Sequence, residues 1–122
     1  MDFDAAIKAH SDWKLKLSSY LRKRDGSLDH NVVCKDNSCA LGQWIQGEGT
    51  RNFAGLALFQ TLKSDHTRFH RAAADIVRKA NTGLDVVEQT ALGSTSEFSV
   101  ASKSVVASIV KMKSEVARRV PA

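Results

Sequence analysis

Proline occurs once in the 122 residues, at Pro121, so nothing before the last two positions forbids long helices. The apolar residues use that freedom. Phe3, Ile7, His10, Trp13, Leu17, Tyr20 and Leu21 recur at steps of three and four, which lines them on one stripe of a helix ending near Asp25 and Gly26. From about Phe53 to Asn81 a longer helix is expected, with Leu56, Phe59, Leu62, His66, Phe69, His70, Ala73, Ile76 and Val77 on one broad face and Gly83 as its terminator. Further on, Val87 and Ala91, then Phe98, Ala101, Val105, Ile109, Met112 and Val116 predict one or two more helices, broken near Gly93 and Ser94. Residues 25–38 are rich in Gly, Asp, Asn and Ser and read as a loop. Its end, Asp36, Asn37 or Ser38, caps a short helix that runs through Ile45 and stops at Gly47 and Gly49. No strand pairing is suggested. The expectation is therefore all-α: one four-helix-bundle-like domain over residues 1–122, with an additional short helix that carries a cysteine.

Composition narrows the function classes. With 43% hydrophobic and 25% charged residues the chain builds an ordinary core and needs neither disulfide nor metal to fold. No run approaches the ~20 apolar residues of a membrane span, and the start, MDFDAAIKAH, lacks the basic and apolar regions of a secretory signal, so a cytoplasmic protein is expected. Two cysteines make no disulfide framework and read better as metal ligands or redox thiols. The net charge of +5 is spread along the chain, with a modest cluster at Lys111, Lys113, Arg118 and Arg119. Without helix-turn-helix or zinc-finger spacing this reads as a solvated surface, not a nucleic-acid interface.

The chemistry lies in the polar residues that interrupt the apolar stripes. His66 and His70, four apart, project from one face of a helix one turn from each other. Such a pair alone is more often two satisfied core or surface histidines. His10, however, shares a separate apolar stripe, and Cys39 starts the short helix after the loop. Burying several polar rings in one small core without partners is costly, and one zinc ion satisfies all four groups at once, with the histidines neutral and the cysteine a thiolate. A di-iron bundle would need more histidines and bridging carboxylates, and only His30 remains, in the expected loop. A phosphotransfer bundle needs an exposed histidine, whereas His66 and His70 share their stripe with Phe59, Leu62 and Phe69. A hydrolytic zinc site keeps one position open for water and sets a carboxylate beside it, but four protein ligands close this one and Asp65 points to another face. No catalytic residue is expected.

Three motifs in order, H-x-x-W at His10 to Trp13, C-x-L-G-x-W at Cys39 to Trp44 and H-x-x-x-H at His66 to His70, resemble the chemoreceptor zinc-binding domain. The resemblance spans essentially the whole chain. It implies a bacterial cytoplasmic helical bundle with one zinc ion on His10, Cys39, His66 and His70, supported by Trp13, Leu41, Gly42 and Trp44. Members are attached to chemoreceptors or diguanylate cyclases, or stand alone. This chain carries neither a methyl-accepting coiled coil nor a cyclase, so a stand-alone member is expected, with a signalling protein as partner and zinc or hypochlorous acid as the signal. A module that uses or stores zinc without sensing is the alternative. Two expectations lie outside the family pattern. Cys34, five residues before Cys39, is a redox partner for it or an ordinary loop thiol, and a second apolar edge, Val106, Val110, Ala117 and Val120, suggests a homodimer.

Overall fold

The computed structural model describes residues 1–23, 26–35, 39–83 and 91–119, with Arg119 by its backbone alone. Among these residues the structure is helical with no strand. The elements are α1 (Phe3–Arg22), α2 (His30–Val33), α3 (Ala40–Trp44), a π turn (Ile45–Gly49), α4 (Thr50–Phe53), α5 (Ala57–Asn81) and α6 (Glu97–Arg119). Three long helices, α1, α5 and α6, pack on one another as a bundle, while α2 packs on α5 and α3 on α1. Asp2 caps α1 by accepting the Ala5 amide, satisfying a donor that has no partner inside the helix. At the far end of α5, Gly83 takes φ +78°, the left-handed conformation that ends a helix and that glycine adopts without steric cost.

The stripes meet in one core. Leu17 of α1, Phe59, Leu62, Phe69, Ala73 and Val77 of α5, and Ala101, Val105, Ile109 and Met112 of α6 are wholly buried. Every residue placed on the α1 stripe is buried or half-buried, as is the whole α5 face. The break expected near Gly93 and Ser94 is present as a turn before α6, where the Ser96 hydroxyl accepts the Ser99 amide. Val87 lies outside the described residues.

Four expectations need correction. Residues 25–38 are not loop throughout, because Asp29 accepts the Asn31 amide and starts α2, which places His30 on a helix, half-buried. The short cysteine helix begins on Cys39 itself, whose Sγ accepts the Gly42 amide at 3.3 Å. The caps expected at Asp36, Asn37 or Ser38 lie outside the described residues. Gly47 and Gly49 do not stop this helix either. The chain widens into the π turn and runs on into α4, the Thr50 hydroxyl donating to the Ile45 carbonyl at 2.6 Å. Phe53 therefore ends α4, and the long helix starts later, at Ala57, after Leu56 in extended conformation. Gln60 Nε2 secures the corner by donating to the Ala54 carbonyl.

The apolar edge of α6 is narrower than expected. Val106 packs half-buried against the core, Val110 and Ala117 are exposed, and Val120 lies outside the described residues. The basic cluster is tied up in part: Lys113 pairs with Asp4 at 2.7 Å and Arg118 with Glu115 at 2.7 Å.

Gly49 explains why the π turn sits against α5. A Cβ there would lie 2.7 Å from Phe59 Cε1 and 3.0 Å from the Trp44 carbonyl oxygen, so only a residue without one allows this approach. Gly49→Ala is expected to destabilise the fold by about 1–3 kcal/mol, the range for overpacking a dense core. Chemical denaturation checks it, and an unchanged midpoint would refute this packing argument.

Candidate metal centre

Each polar side chain of the centre is delivered by an element with its own reason to be there. The apolar stripe of α1 turns His10 inward, and the α5 face does the same for His66 and His70, leaving these rings 3%, 1% and 4% exposed. Cys39 arrives from the other side, at the start of α3, half-buried. Leu41, one residue into α3, is almost wholly buried in the core and anchors this short helix.

The four expected residues converge. One ligand atom from each of His10, Cys39, His66 and His70 lies within 4.8 Å of all the others. Cys39 Sγ is 3.2 Å from His66 Nε2 and 3.8 Å from His70 Nε2, and the two Nε2 atoms are 3.1 Å apart. Tetrahedral zinc with bonds of about 2.0–2.1 Å to nitrogen and 2.3 Å to sulfur sets its ligand atoms roughly 3.3–3.7 Å apart. The three distances among Cys39, His66 and His70 are close to that size.

Hydrogen bonds on the far side of two rings fix their protons. His10 Nδ1 lies 2.8 Å from the Ala6 carbonyl and His70 Nδ1 lies 3.0 Å from the Val33 carbonyl. A carbonyl only accepts, so both Nδ1 atoms carry hydrogen and both neutral rings turn an Nε2 lone pair inward. For His10 that Nε2 is buried with no hydrogen-bond partner in the protein. Burial is also the main influence on its basicity, pulling its pKa below the usual 6.5; the bond to Ala6 opposes this and nearby His70 reinforces it. A neutral buried imidazole with an inward lone pair is what a metal requires of a histidine. The residues present fit a zinc ion, on the orphaned nitrogen and on the nitrogen and sulfur donor set.

The expected supports play different parts. Trp44 packs edge-on against Phe3 and Phe59, with centroids 5.3 and 6.0 Å away, and tilted against Phe53, so it ties α3 to α1, α4 and α5. Gly42 gives its amide to Cys39 Sγ, a bond that favours the thiolate. Trp13, with Lys16 Nζ 4.4 Å from its ring centroid, lines a cavity of about 280 Å³ that reaches Cys39 and His70. Asp65 accepts from Ser108 of α6 at 2.6 Å, away from the cluster. Cys34 is exposed at the end of α2 and directs its thiol to the Asn31 carbonyl. Two participants were not anticipated. Phe69 stands edge-on to His10 and His70 at 5.1 and 5.5 Å, and its place on the α5 stripe was the available signal. The Val33 carbonyl is backbone and leaves no mark in a sequence.

A helical bundle with three histidines and one cysteine converging in its core is a metal-binding class of domain. A family model for the chemoreceptor zinc-binding domain matches residues 10–77, more than half of the chain and all four converging residues, and the chain belongs to that family. Compared with curated proteins and with solved structures, it gives no match.

His10 supplies a test of the centre's character. An unsatisfied buried polar atom costs about 1–3 kcal/mol, so in metal-free protein at neutral pH His10→Leu should raise stability, by of order 1 kcal/mol once the lost bond to Ala6 is counted. Because the folded pKa of His10 is depressed, its unfolded form binds more protons, and metal-free stability should fall as pH drops through about 6.5 and below. That acid sensitivity should lessen in His10→Leu. Thermal melts in chelator across pH check both, and a variant less stable than the parent at every pH would refute the orphaned-nitrogen argument.

Proposed function

We propose that the chain is a regulatory module that holds one zinc ion on His10, Cys39, His66 and His70 and reports zinc supply or oxidant to a signalling protein. The observation that carries this is the convergence of those four ligand atoms in the core of a member of the chemoreceptor zinc-binding family. Bound there, zinc acts as a Lewis acid that keeps the cysteine as thiolate and joins α1, α3 and α5. The remaining work belongs to the chain. His66 and His70 sit on the 25-residue α5 and His10 on the 20-residue α1, so packing locks them. Cys39 stands at the N-terminal cap of α3, ahead of its first turn, and is the group best able to leave. Its neighbouring cavity, with Trp13 and Lys16 on the wall, gives small reactants a way to the sulfur.

In the oxidant version, hypochlorous acid converts the Cys39 thiolate to a sulfenic acid with loss of chloride. The Cys34 thiol then attacks that sulfur, forms a disulfide and expels water. Disulfide formation needs Cα atoms about 4.4–6.8 Å apart, a separation that unwinding of the start of α3 would let the two cysteines reach. We place the module in the bacterial cytoplasm, acting by binding and not by catalysis. We also propose a second copy as partner, through the edge where Val110 is exposed. The deep burial of the three histidines supports a second reading, in which zinc is purely structural or stored.

Elemental analysis of purified protein should find about one zinc per chain, with less in His66→Ala and Cys39→Ala. No zinc in the parent, or full zinc in both variants, would overturn the assignment. Affinity against free-zinc buffers separates sensing, poised near cellular free zinc, from a structural role with effectively irreversible binding. Hypochlorous acid should release zinc, seen with a chromogenic chelator, and yield a Cys34–Cys39 disulfide by mass spectrometry. Zinc release with Cys34 still free would reject its role while keeping the switch. Sedimentation at tens of micromolar is expected to give the mass of a dimer.

A further inference from the structure

One polar relay lies at the opposite end of α2 from the centre. The Tyr20 hydroxyl, on a buried side chain of α1, donates to Asn81 Oδ1, and Asn81 Nδ2 donates to the Leu28 carbonyl at 2.7 Å. Asn81 is the last residue of α5, and its two bonds tie that end to both α1 and the approach to α2. Five residues beyond Leu28, the Val33 carbonyl accepts His70 Nδ1–H. The segment 28–33 is thus fastened to α5 at two points, by Asn81 and by His70.

Helix geometry makes those two points one face. At about 100° per residue, the eleven residues from His70 to Asn81 amount to three turns plus about 20°, so both project from the same side, about 16 Å apart along the axis. Ala73, Ala74 and Val77 lie between them on that side, all buried, and α2 packs on α5. Asn81 therefore sets where α2 rests along α5. That position decides whether the Val33 carbonyl meets His70, and hence which ring nitrogen of His70 keeps its proton and which lone pair faces Cys39 and His66. The same segment continues through Cys34 to Cys39.

We propose that Asn81, held by Tyr20, is a positioning residue for the metal centre: through Leu28 and α2 it holds the Val33 carbonyl on His70 and so controls how fast the centre lets its metal go. This rests on the reading of the cluster as a zinc site. Groups that bond directly to a metal ligand typically affect affinity by about 10–100-fold, and Asn81 acts one step further out, so an effect of about three- to tenfold is expected. The Tyr20 hydroxyl is 3.5 Å from the Leu28 carbonyl and can turn to it when Asn81 is lost, so Tyr20→Phe combined with Asn81→Ala should exceed either change alone.

The experiment loads full-length protein with zinc and follows release to a chromogenic chelator at neutral pH, and repeats loading with cobalt to read the visible ligand-field bands of a tetrahedral nitrogen–sulfur site. Asn81→Ala, on an exposed position at a helix end, should fold, release zinc about three- to tenfold faster and shift or weaken the cobalt bands, with the double variant beyond it. Asp75→Ala is the control. It breaks the ion pairs with Arg78 and Lys79 near the same end of α5, outside the relay, and should release zinc at the parent's rate with the parent's cobalt spectrum. Release by Asn81→Ala within twofold of the parent, or equal acceleration in Asp75→Ala, would overturn the proposal while leaving the zinc site standing. A parent that binds neither metal would overturn both.

Discussion

Everything about this fold has to accommodate three imidazoles and a thiol brought together inside a small apolar core. Cys39 Sγ, His66 Nε2 and His70 Nε2 stand within hydrogen-bonding distance of one another, and His10 Nε2 faces them without a partner. Such a group of lone pairs is costly to bury unless something positive is shared among them. The surrounding hydrogen bonds make the cost worse for a bare protein, because the Ala6 and Val33 carbonyls hold the ring protons on the outside. A core arranged in this way is built for an occupant, and three histidines with one cysteine match the preferences of zinc.

The rigid and the yielding parts of the centre are separated by position along a helix. α5 contributes two of the four converging groups and a face of wholly buried residues that includes Phe59 and Phe69, so His66 and His70 inherit the stability of the bundle. The cysteine stands at the N-terminal end of its helix, just ahead of the anchors Leu41 and Trp44, where only the first turn needs to rearrange for the sulfur to withdraw. Three of the converging groups are thus held mid-helix, and the fourth stands where a helix begins.

How much of this was legible in the sequence depended on whether a feature is carried by side-chain periodicity. The stripes of α1, α5 and α6 are, and every histidine on them proved buried. Cys39 was recognisable from residue chemistry and from the spacing of its motif. What escaped were features in which the backbone chooses among near-equal options. Asp29 was enough to start α2 inside a segment that looked like loop, because a side-chain cap competes well against a short stretch of open chain. Gly47 and Gly49 looked like terminators, since glycine weakens helices, yet here a glycine is required for close packing on Phe59 and the chain stays helical. The acceptors at Ala6 and Val33 are carbonyls, which every residue possesses, so no pattern of residue types could single them out.

The π turn between α3 and α4 has a consequence for how such a chain can vary. A π turn is helix that spends one residue more than its α-helical equivalent on a single turn, so the extra residue is absorbed in the wider turn and the helix on either side keeps its facing. In this chain the part before it carries Cys39 and Trp44, and the part after it leads into α5 with its two histidines. A single deletion between Ile45 and Gly49 can therefore be absorbed by tightening the turn to α geometry, with the sulfur still on its original side of the helix. Length in this stretch is then the tolerant variable and residue identity at Gly49 the strict one, and two chains that differ by one residue there can still present the same four groups to one another.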